Sequence, residues 1–396
     1  MRTAAVIGTG LIGTSVALAL SRRGVEVYLD DLSETNLKTA ASLGAGITGL
    51  PEGPVDLLIV AVPPGYVGAT LADAQRRGLA RAYTDVASVK NAPQREVVSQ
   101  GIDPSSYLGG HPLAGRERSG PLMGRADLFE GRPWVLTPTS ATGRDALNRV
   151  LELISLCGAV PVVMDAADHD RAVALISHAP HLVSSLMAAR LEHASEDAAR
   201  VAGTGVRDVT RIAAGDPALW EEILTSNAEA VADVLDEYAA DLAGVISALR
   251  ELAAAGAGET GTIDAVETVT RTVTQAVTQA VTQTGREPHG AEPAVVPARD
   301  RLVDLLRRGN AGQSRIPGKH GAPRAAWGSV PIVISDAPGE LARLFAAAGA
   351  AGVNIEDLRI EHSPGKAVGL VILQVAPEAA ESLAVHLGER GWTVQR

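Results

Sequence analysis

The chain has 396 residues, of which 46% are hydrophobic and 20% are charged. One hydrophobic core rarely organises that length, so two or three domains are expected, and the apolar content excludes a wholly disordered chain. The net charge of -11 is not offset by a basic block, which argues against a nucleic-acid or anionic-membrane partner. The single cysteine, Cys157, excludes an internal disulfide and a thiolate metal site, and it fits a reducing cytoplasm.

Short apolar runs alternate with helical stretches in the first part of the chain. Strands are predicted at Thr3–Ile7, Val25–Asp30, Val55–Val62, Ala82–Val86 and Pro133–Thr137. Strands that alternate with helices are typical of an α/β protein with a doubly wound parallel sheet, and we assign residues 1–166 to such a domain. The first apolar run is broken by glycines and lacks a cleavage pattern, so we interpret it as mature protein. No later run approaches the length of a membrane span.

From about Ala167 the pattern changes to long helical segments. Helices are predicted over Arg171–His193 and Pro217–Leu252, the second with Asp216 as its N-cap and Pro217 in its first turn. We therefore predict an all-helical second domain over residues 167–326. It contains a threonine-rich, low-complexity insertion at about residues 256–297, in which AVTQ recurs. The valines would share one side of a helix, but a linker is the preferred interpretation.

The last segment, residues 327–396, has a different order of elements. The pattern predicts strand Val330–Ile334, helix Gly339–Ala348, strands Asn354–His362 and Val368–Val375, helix Ala379–Arg390 and strand Trp392–Gln395. This βαββαβ order is typical of an α+β ferredoxin-like domain.

A glycine pattern follows the first predicted strand. Gly8, Gly10 and Gly13 form GxGxxG before an apolar helix, a context typical of a Rossmann dinucleotide-binding loop. Asp30 closes the second strand, where a carboxylate binds ribose hydroxyls and repels a 2′-phosphate, so NAD is preferred over NADP. An ordinary strand-to-helix turn is the alternative. The predicted cofactor-binding residues are Gly8, Thr9, Gly10, Leu11, Ile12, Gly13 and Asp30.

Two polar segments follow later strand ends, DVASVK at residues 85–90 and GGHPLAGRERSG at residues 109–120. Because parallel sheets bind ligands at the carboxyl ends of their strands, we expect Ser88 and His111 to face the nicotinamide crevice. His111 lies between Gly110 and Pro112, on a predicted stiff loop that would hold a catalytic base in place. A buried histidine bonded to backbone and a serine that only forms a turn are the alternatives.

Several longer motifs give the chain a resemblance to a known family. Besides the two polar segments, they are ISHAPH (176–181), RDVTRIAAGDPALW (207–220) and RRGNAGQSRIPGKHG (307–321). On these motifs, residues 1 to about 321 resemble the prephenate/arogenate dehydrogenases, and only the AVTQ insertion departs from the family pattern. The resemblance implies a cytoplasmic homodimer that catalyses NAD-dependent oxidative decarboxylation of prephenate to 4-hydroxyphenylpyruvate in tyrosine biosynthesis, or of arogenate to tyrosine.

The resemblance also implies roles for individual residues. His111 accepts the proton of the ring hydroxyl, and Ser88 helps to hold His111 and that hydroxyl. The implied substrate-binding residues are Arg211 as a carboxylate anchor, His178 as a pocket histidine, and Glu117 with Asp208 as an acidic pair near the pocket entrance. For Arg211, a surface pair with Asp208 is the alternative.

The chemistry of such a substrate requires these kinds of group. A dianion with a ring hydroxyl needs a planar bidentate cation and a base, and no metal or covalent nucleophile. His178 and His181 share a helix face, but no HExxH pattern or neighbouring carboxylate completes a metal site. Another NAD-dependent β-hydroxyacid oxidoreductase and a non-catalytic NAD-dependent regulator are the alternative functions, and a base beside a dianion anchor argues against the regulator.

The segments SDAPGELARLF (335–345) and GVNIEDLRIEH (352–362) resemble ACT domains. Asp336, Pro338 and Gly339 match the DxPGxL loop that opens the first helix of such domains. The loop offers amides to an amino acid's carboxylate, and Asp336 or Asn354 would take its ammonium group. The resemblance implies a regulatory site for an aromatic amino acid such as tyrosine. A dimerisation or purely structural module is the alternative.

Overall fold

The structure is a computed structural model that describes residues 1–114, 120–257, 296–316, 327–362 and 368–395. It divides into two compact units, residues 1–242 and 243–396. Glu117 and nearly all of the low-complexity insertion, for which a linker is the preferred interpretation, lie outside the described residues.

An eight-stranded sheet dominates the first unit. Its strands are β1 (Thr3–Ile7), β2 (Glu26–Asp30), β3 (Ile47–Thr48), β4 (Leu57–Val60), β5 (Tyr83–Asp85), β6 (Tyr107–Pro112), β7 (Pro133–Thr137) and β8 (Val160–Val163). The order β3-β2-β1-β4-β5-β6-β7-β8 contains the strand arrangement of a Rossmann fold. However, β7 pairs antiparallel to β6, and β8 runs parallel to β7. The prediction of a parallel sheet is therefore wrong at this end.

Helices cover both faces of the sheet. They are α1 (Leu11–Arg22), α2 (Glu34–Ser42), α3 (Val67–Arg76), α4 (Asn91–Ser99) and α5 (Arg144–Leu156). All four side chains of β4 are apolar and fully buried, because a central parallel strand is covered on both sides. Leu57 and Ile59 belong to one core cluster, and Leu58 and Val60 to the other. The parallel strands therefore end along one well-anchored edge.

The rest of the first unit is helical and begins at Ala166. A continuous segment runs through α6 (Ala166–Val173), a π turn (Ala174–His178) and α7 (Ala179–Leu191). The π turn precedes Pro180, which has no amide hydrogen and whose ring would clash with the carbonyl four residues back. The remaining elements are α8 (Glu196–Arg200), α9 (Thr204–Thr210), a 3-10 turn (Arg211–Ala214), α10 (Pro217–Ser226) and α11 (Ala228–Ala257), of which the residues after 242 belong to the second unit.

The helix predicted over Pro217–Leu252 is interrupted at Asn227. Its start is as predicted, since the Asp216 carboxylate accepts a hydrogen bond from the Ala218 amide at 3.0 Å. Asn227 has φ -125° and ψ 28°, which is not helical, and it separates α10 from α11. The break frees the Asn227 side chain for the interior.

The segment Ala166–Leu191 is long and apolar enough to cross a membrane by length and composition alone, so the prediction that no later run approaches that length is wrong. It nevertheless carries His169, Asp170 and His178 as buried side chains with specific hydrogen-bond partners. Buried polar groups are tolerated where such partners exist. These polar side chains of the segment therefore take part in the packing of the first unit.

The second unit contains α12 (Ala298–Ser314) and a four-stranded antiparallel sheet. The sheet region comprises β9 (Gly328–Ser335), α13 (Glu340–Ala350), β10 (Asp357–His362), β11 (Val368–Val375), α14 (Pro377–Glu389) and β12 (Thr393–Val394). Its βαββαβ order is the predicted one, and the strands are arranged β10-β11-β9-β12. An apolar cluster that includes Leu344, Val371 and Leu383 joins the helices to the sheet.

Candidate active site

The loop between β1 and α1 has the shape of a phosphate cradle. Gly8 has a φ of +99°, and a Cβ there would lie 2.4 Å from the Ala61 carbonyl oxygen. A Cβ at Gly13 would lie 1.9 Å from the Gly8 oxygen, whereas a Cβ at Gly10 would meet nothing within 4 Å. The first turn of α1 contains no acidic residue that would oppose an anion at the helix N-terminus. An open glycine beside such an N-terminus fits the pyrophosphate of a dinucleotide.

The carboxylate next to this loop belongs to Asp31. Its Oδ2 accepts hydrogen bonds from the Thr9 amide at 2.5 Å and from the Thr9 hydroxyl at 2.8 Å. Asp30 instead contributes its backbone oxygen, which accepts from the Gly8 amide at 2.8 Å. Consecutive residues of a strand point to opposite sides, so a shift of one residue decides which carboxylate reaches the loop. The Asp31 carboxylate therefore contacts the glycine loop directly, and the role of Asp30 in binding the ribose stays a prediction.

His111 lies at the carboxyl end of β6 and not on the predicted loop. It pairs with Val135 of β7, so the sheet fixes its backbone. Its Nδ1 is 2.8 Å from Nε2 of the fully buried His169 of α6. Burial holds the pKa of His111 well below its usual 6.5, and the neighbouring His169 and Lys90 lower it further. At pH 7 His111 is therefore neutral and able to accept a proton.

Asp170 connects α6 to the start of α4. Its Oδ1 accepts from the His169 ring and from the Lys90 amide, both at 2.8 Å, and its Oδ2 accepts from the Asn91 amide at 2.9 Å. Burial raises the pKa of the Asp170 carboxyl, but the hydrogen bonds donated to it outweigh burial and leave the pKa below its usual value. Lys90 offers α4 no side-chain cap, so Asp170 caps this helix from outside.

A buried ion pair lies in the loop that carries Ser88. The Lys90 ammonium contacts the Asp85 carboxylate, which also accepts from the Tyr107 hydroxyl at 2.6 Å and from the Ala87 amide at 2.8 Å. Burial lowers the pKa of Lys90 although the Asp85 charge opposes the shift, and burial together with the Asp85 charge raises the pKa of Tyr107. These bonds hold the loop in one conformation.

The freed side chain of Asn227 binds His178. Its Nδ2 donates to the Asp170 carbonyl at 2.9 Å and contacts His178 Nδ1 at 3.1 Å. An amide nitrogen only donates, so His178 accepts at Nδ1 and carries its hydrogen on Nε2. Burial lowers the pKa of His178 to about 4. His178 is thus a neutral hydrogen-bond donor at pH 7.

His181 stacks on Trp220 one turn after His178. The His181 and Trp220 ring centroids are 3.6 Å apart with planes at 17°, and His178 meets the same indole edge to face at 6.2 Å. The absence of a side chain at Gly215 leaves space for the Trp220 indole, since a Cβ there would lie 2.4 Å from Trp220 Nε1. Within the described chain neither ring nitrogen of His181 makes a well-formed hydrogen bond, although the nearby Ile212 carbonyl partly opposes the lowering of its pKa by burial. His181 is therefore a buried polar ring without a well-formed hydrogen bond, held in place by its stacking on Trp220.

The other predicted residues of the first unit lie around this region. Arg211 begins the 3-10 turn that packs against α7, and Asp208 precedes it by one turn in α9; both are exposed. Ser88 is half-buried between β5 and α4, but the residue that contacts Nδ1 of His111 is His169.

The residues predicted to bind an amino acid lie in the second unit. Gly339 caps α13 with a φ of +91°, and Asp336 is exposed three residues earlier. The Asn354 amide donates to the Glu356 carboxylate at 2.6 Å. Among the described residues no hydrogen bond joins Asp336 to Asn354.

Four polar residues join the first-unit site although no motif indicates them: Asp31, His169, Asp170 and Asn227. His169 and Asp170 give a weak signal, since they belong to four consecutive polar residues, 168–171, that precede a mainly apolar helical run. Ionisable residues in such a segment are rarely buried without a specific partner.

Two family models and several known proteins match this chain. A family model described as "Prephenate dehydrogenase, nucleotide-binding domain" matches residues 16–163, and one described as "Prephenate dehydrogenase, dimerization domain" matches residues 165–257. The chain is 40% identical over 394 residues to a probable prephenate dehydrogenase, NovF, of Streptomyces niveus, with 99% of each chain covered. It is 32% identical to the prephenate dehydrogenase of Bacillus subtilis over 255 residues, which are 60% of this chain and 67% of that one.

Two solved structures are similar to the first part of the chain. Prephenate dehydrogenase from A. aeolicus, in complex with hydroxyphenyl propionate and NAD+, gives a TM-score of 0.58 at 24% identity, with 72% of this chain and 98% of that chain covered. Arogenate dehydrogenase from Synechocystis gives a TM-score of 0.55 at 25% identity, with 72% and 100% covered. Both likenesses indicate a common fold.

Proposed function

The chain belongs to the prephenate dehydrogenase family, and on that premise we propose that it catalyses the NAD-dependent oxidative decarboxylation of prephenate to 4-hydroxyphenylpyruvate. The observation that carries the proposal is a neutral histidine, His111, at the carboxyl end of β6. This is the sheet edge at which the open glycine loop follows β1, and parallel sheets bind their ligands at that edge. The Asp31 carboxylate beside the loop supports NAD, because it would repel a 2′-phosphate.

His111 supplies the base in this proposal. The chemistry that bound NAD supplies is acceptance of a hydride from the ring carbon that bears the hydroxyl. His111 Nε2 takes the proton of that hydroxyl as the carbon–oxygen bond becomes a carbonyl. Loss of the ring carboxylate as carbon dioxide makes the ring aromatic and leaves a phenolate. The proton then returns from Nε2 to this oxygen, so the phenol forms without net proton uptake.

In this proposal, residues in the helical part of the first unit bind the prephenate dianion. Arg211 binds one carboxylate through its planar, bidentate guanidinium. The Nε2 hydrogen of His178 offers a further polar contact, and the stacked rings of His181 and Trp220 lie beside it. Ser88 contributes its hydroxyl at the reacting end of the site. Asp208 lies near the entrance, one turn before Arg211.

Three features accompany this function in our proposal. The match of residues 165–257 to a dimerization domain supports a homodimer. The βαββαβ order of the second unit supports an ACT domain that binds an aromatic amino acid near Asp336, Gly339 and Asn354. The single cysteine, which fits a reducing compartment, supports a cytoplasmic location.

An assay of the purified protein with NAD tests the proposed function. With prephenate, we expect NADH and carbon dioxide in equal amounts. Parallel initial rates with arogenate determine which of the two substrates is preferred. Absence of NADH with both substrates between pH about 6 and 9, where a histidine base is neutral, would contradict the proposal.

A further inference from the structure

Two hydrogen bonds connect the proposed base, His111, to the side chains of His169 and Asp170. His111 Nδ1 is 2.8 Å from His169 Nε2, and His169 Nδ1 is 2.8 Å from Asp170 Oδ1. His169 has no exposed surface and Asp170 is 2% exposed, so water does not compete for these bonds. These hydrogen bonds join the end of β6 to α6 of the helical part.

Counting the hydrogens decides the direction of each bond. The Asp170 carboxylate only accepts, and it already receives the amides of Lys90 and Asn91, so His169 must donate from Nδ1. A neutral His169 then has a bare Nε2 that can only accept. His111 must therefore donate from Nδ1, which leaves its own Nε2 without hydrogen.

We propose that His169 and Asp170 are positioning residues that hold His111 in the tautomer whose Nε2 is open to the substrate hydroxyl. The inference deepens the function proposed above and depends on His111 being its base. Asp170 suits this role because two backbone amides at the start of α4 also fix it. The His169 ring is held at both nitrogens, so it cannot turn without breaking two hydrogen bonds.

The arrangement also serves the proton transfer. When the substrate O–H bond breaks, the proton goes to His111 Nε2 and the ring becomes an imidazolium. Its Nδ1 hydrogen stays on His111 and is already directed at His169, so no group has to reorient to receive the new charge. The Asp170 carboxylate stabilises that charge through His169. When the phenol forms, Nε2 returns the proton and the three side chains regain their starting state.

The first test measures the tautomer directly. In protein labelled with ¹⁵N-histidine, the ring nitrogens of His111 and His169 are identified by comparison with His111→Asn and His169→Gln variants and are measured near pH 7.5. We expect both rings to be neutral and to carry hydrogen on Nδ1. Hydrogen on Nε2 of His111, or a doubly protonated His169, would overturn the inference. This measurement does not depend on activity.

The second test separates positioning from folding. His169→Leu removes the acceptor, whereas His169→Gln places an amide oxygen near the former Nε2. We expect His169→Leu to lower kcat roughly 100-fold with little change in the KM for prephenate, because His111 is no longer held in its reactive tautomer. His169→Gln should recover most of that loss. His193→Leu, at an exposed histidine after α7, serves as the matched control.

The outcomes distinguish this inference from the proposed function. If the wild type forms no NADH, the function fails, while the tautomer measurement still tests the arrangement of His111 and His169. If the wild type is active and folded His169→Leu keeps its kcat, the function stands and the inference is wrong. NADH binding and melting temperature establish folding. If His169→Leu does not fold, the kcat of His169→Gln and the measured tautomer of His111 replace it as the test. A kcat within roughly tenfold of wild type, together with hydrogen on His111 Nδ1, supports the inference.

Discussion

The two ends of the chain bury different kinds of side chain. Residues 1–242 bury an ion pair, three histidines and a further aspartate, whereas no charged or polar residue is fully buried among the described residues between 327 and 395, where the half-buried His386 hides only its Nε2 atom. Burying an ionisable group costs free energy unless specific partners satisfy it, and such groups concentrate where chemistry is done. The first unit thus combines its fold with a reaction site, while the C-terminal sheet is held together mainly by apolar packing.

The largest expected effect is on catalysis in the polar region. His111→Asn removes the proposed base, so kcat should fall roughly 1000-fold with little change in substrate KM. Arg211→Ala should instead raise the KM for prephenate roughly 100-fold, since a charge-assisted bidentate contact is lost. Steady-state kinetics of both variants provide the check. Equal effects of the two variants on kcat and KM would refute the assigned roles.

The next effect concerns the buried ion pair. Lys90→Met leaves Asp85 as a buried charge without its cation, which should lower the free energy of unfolding by about 3–5 kcal/mol. Lys38→Met, which breaks an exposed pair with Glu34 on α2, should cost at most about 0.5 kcal/mol. Urea unfolding of both variants measures the contrast, and similar losses would show that burial of the pair does not matter.

A substitution in the hydrophobic core tests the stability of the C-terminal sheet. Leu344 of α13 is fully buried, so Leu344→Ala should destabilise the C-terminal sheet by about 2–5 kcal/mol. The kcat of the dehydrogenase should stay essentially unchanged, because the groups proposed for the reaction all lie before residue 228. Phe345→Ala, at a neighbouring residue that is 39% exposed, is the milder control. If Leu344→Ala lost as much kcat as His111→Asn, the C-terminal sheet would not be separable from the reaction site.

A smaller effect distinguishes two adjacent carboxylates. Asp31→Asn should raise the KM for NAD about tenfold, because it removes a charge-assisted acceptor beside the glycine loop. Asp30→Asn should have little effect, since the backbone of Asp30 and not its carboxylate meets the loop. KM values for NAD test the pair, and the reverse order would restore Asp30 as the ribose ligand.

The smallest effect is a pH dependence of stability. His178 has a pKa of about 4 in the folded state, below the usual 6.5, so the unfolded chain binds more protons between these values. Its contribution to stability is complete above pH 6.5 and is lost as the pH falls towards 4, at no more than about 1.4 kcal/mol per pH unit. Melting temperatures from pH 7.5 to 5 should fall less in His178→Gln than in the exposed control His193→Gln. Equal slopes would show that His178 is not buried as a neutral ring.

Local patterns in the sequence predict much of this molecule. The alternation of strands and helices, the glycines after β1 and the βαββαβ order at the C-terminus are each encoded within short stretches, so periodicity and turn chemistry reveal them. His111 is also predicted as a candidate base, since it follows a strand signal in a ligand-binding position. These features depend on neighbours in the chain, which is why one sequence suffices.

Tertiary structure decides how the site is assembled. His169 meets His111 across 58 residues and Asp170 caps α4 across 80, and no periodic pattern records contacts of that separation. The antiparallel direction of β7 and the contact of the Asp31 carboxylate with the glycine loop depend on strand pairing and on which way a strand end faces. The sequence by itself thus determined the elements and the candidate base. Only the packing of α6 against β6 and α4 determined which buried groups hold that base and in which tautomer.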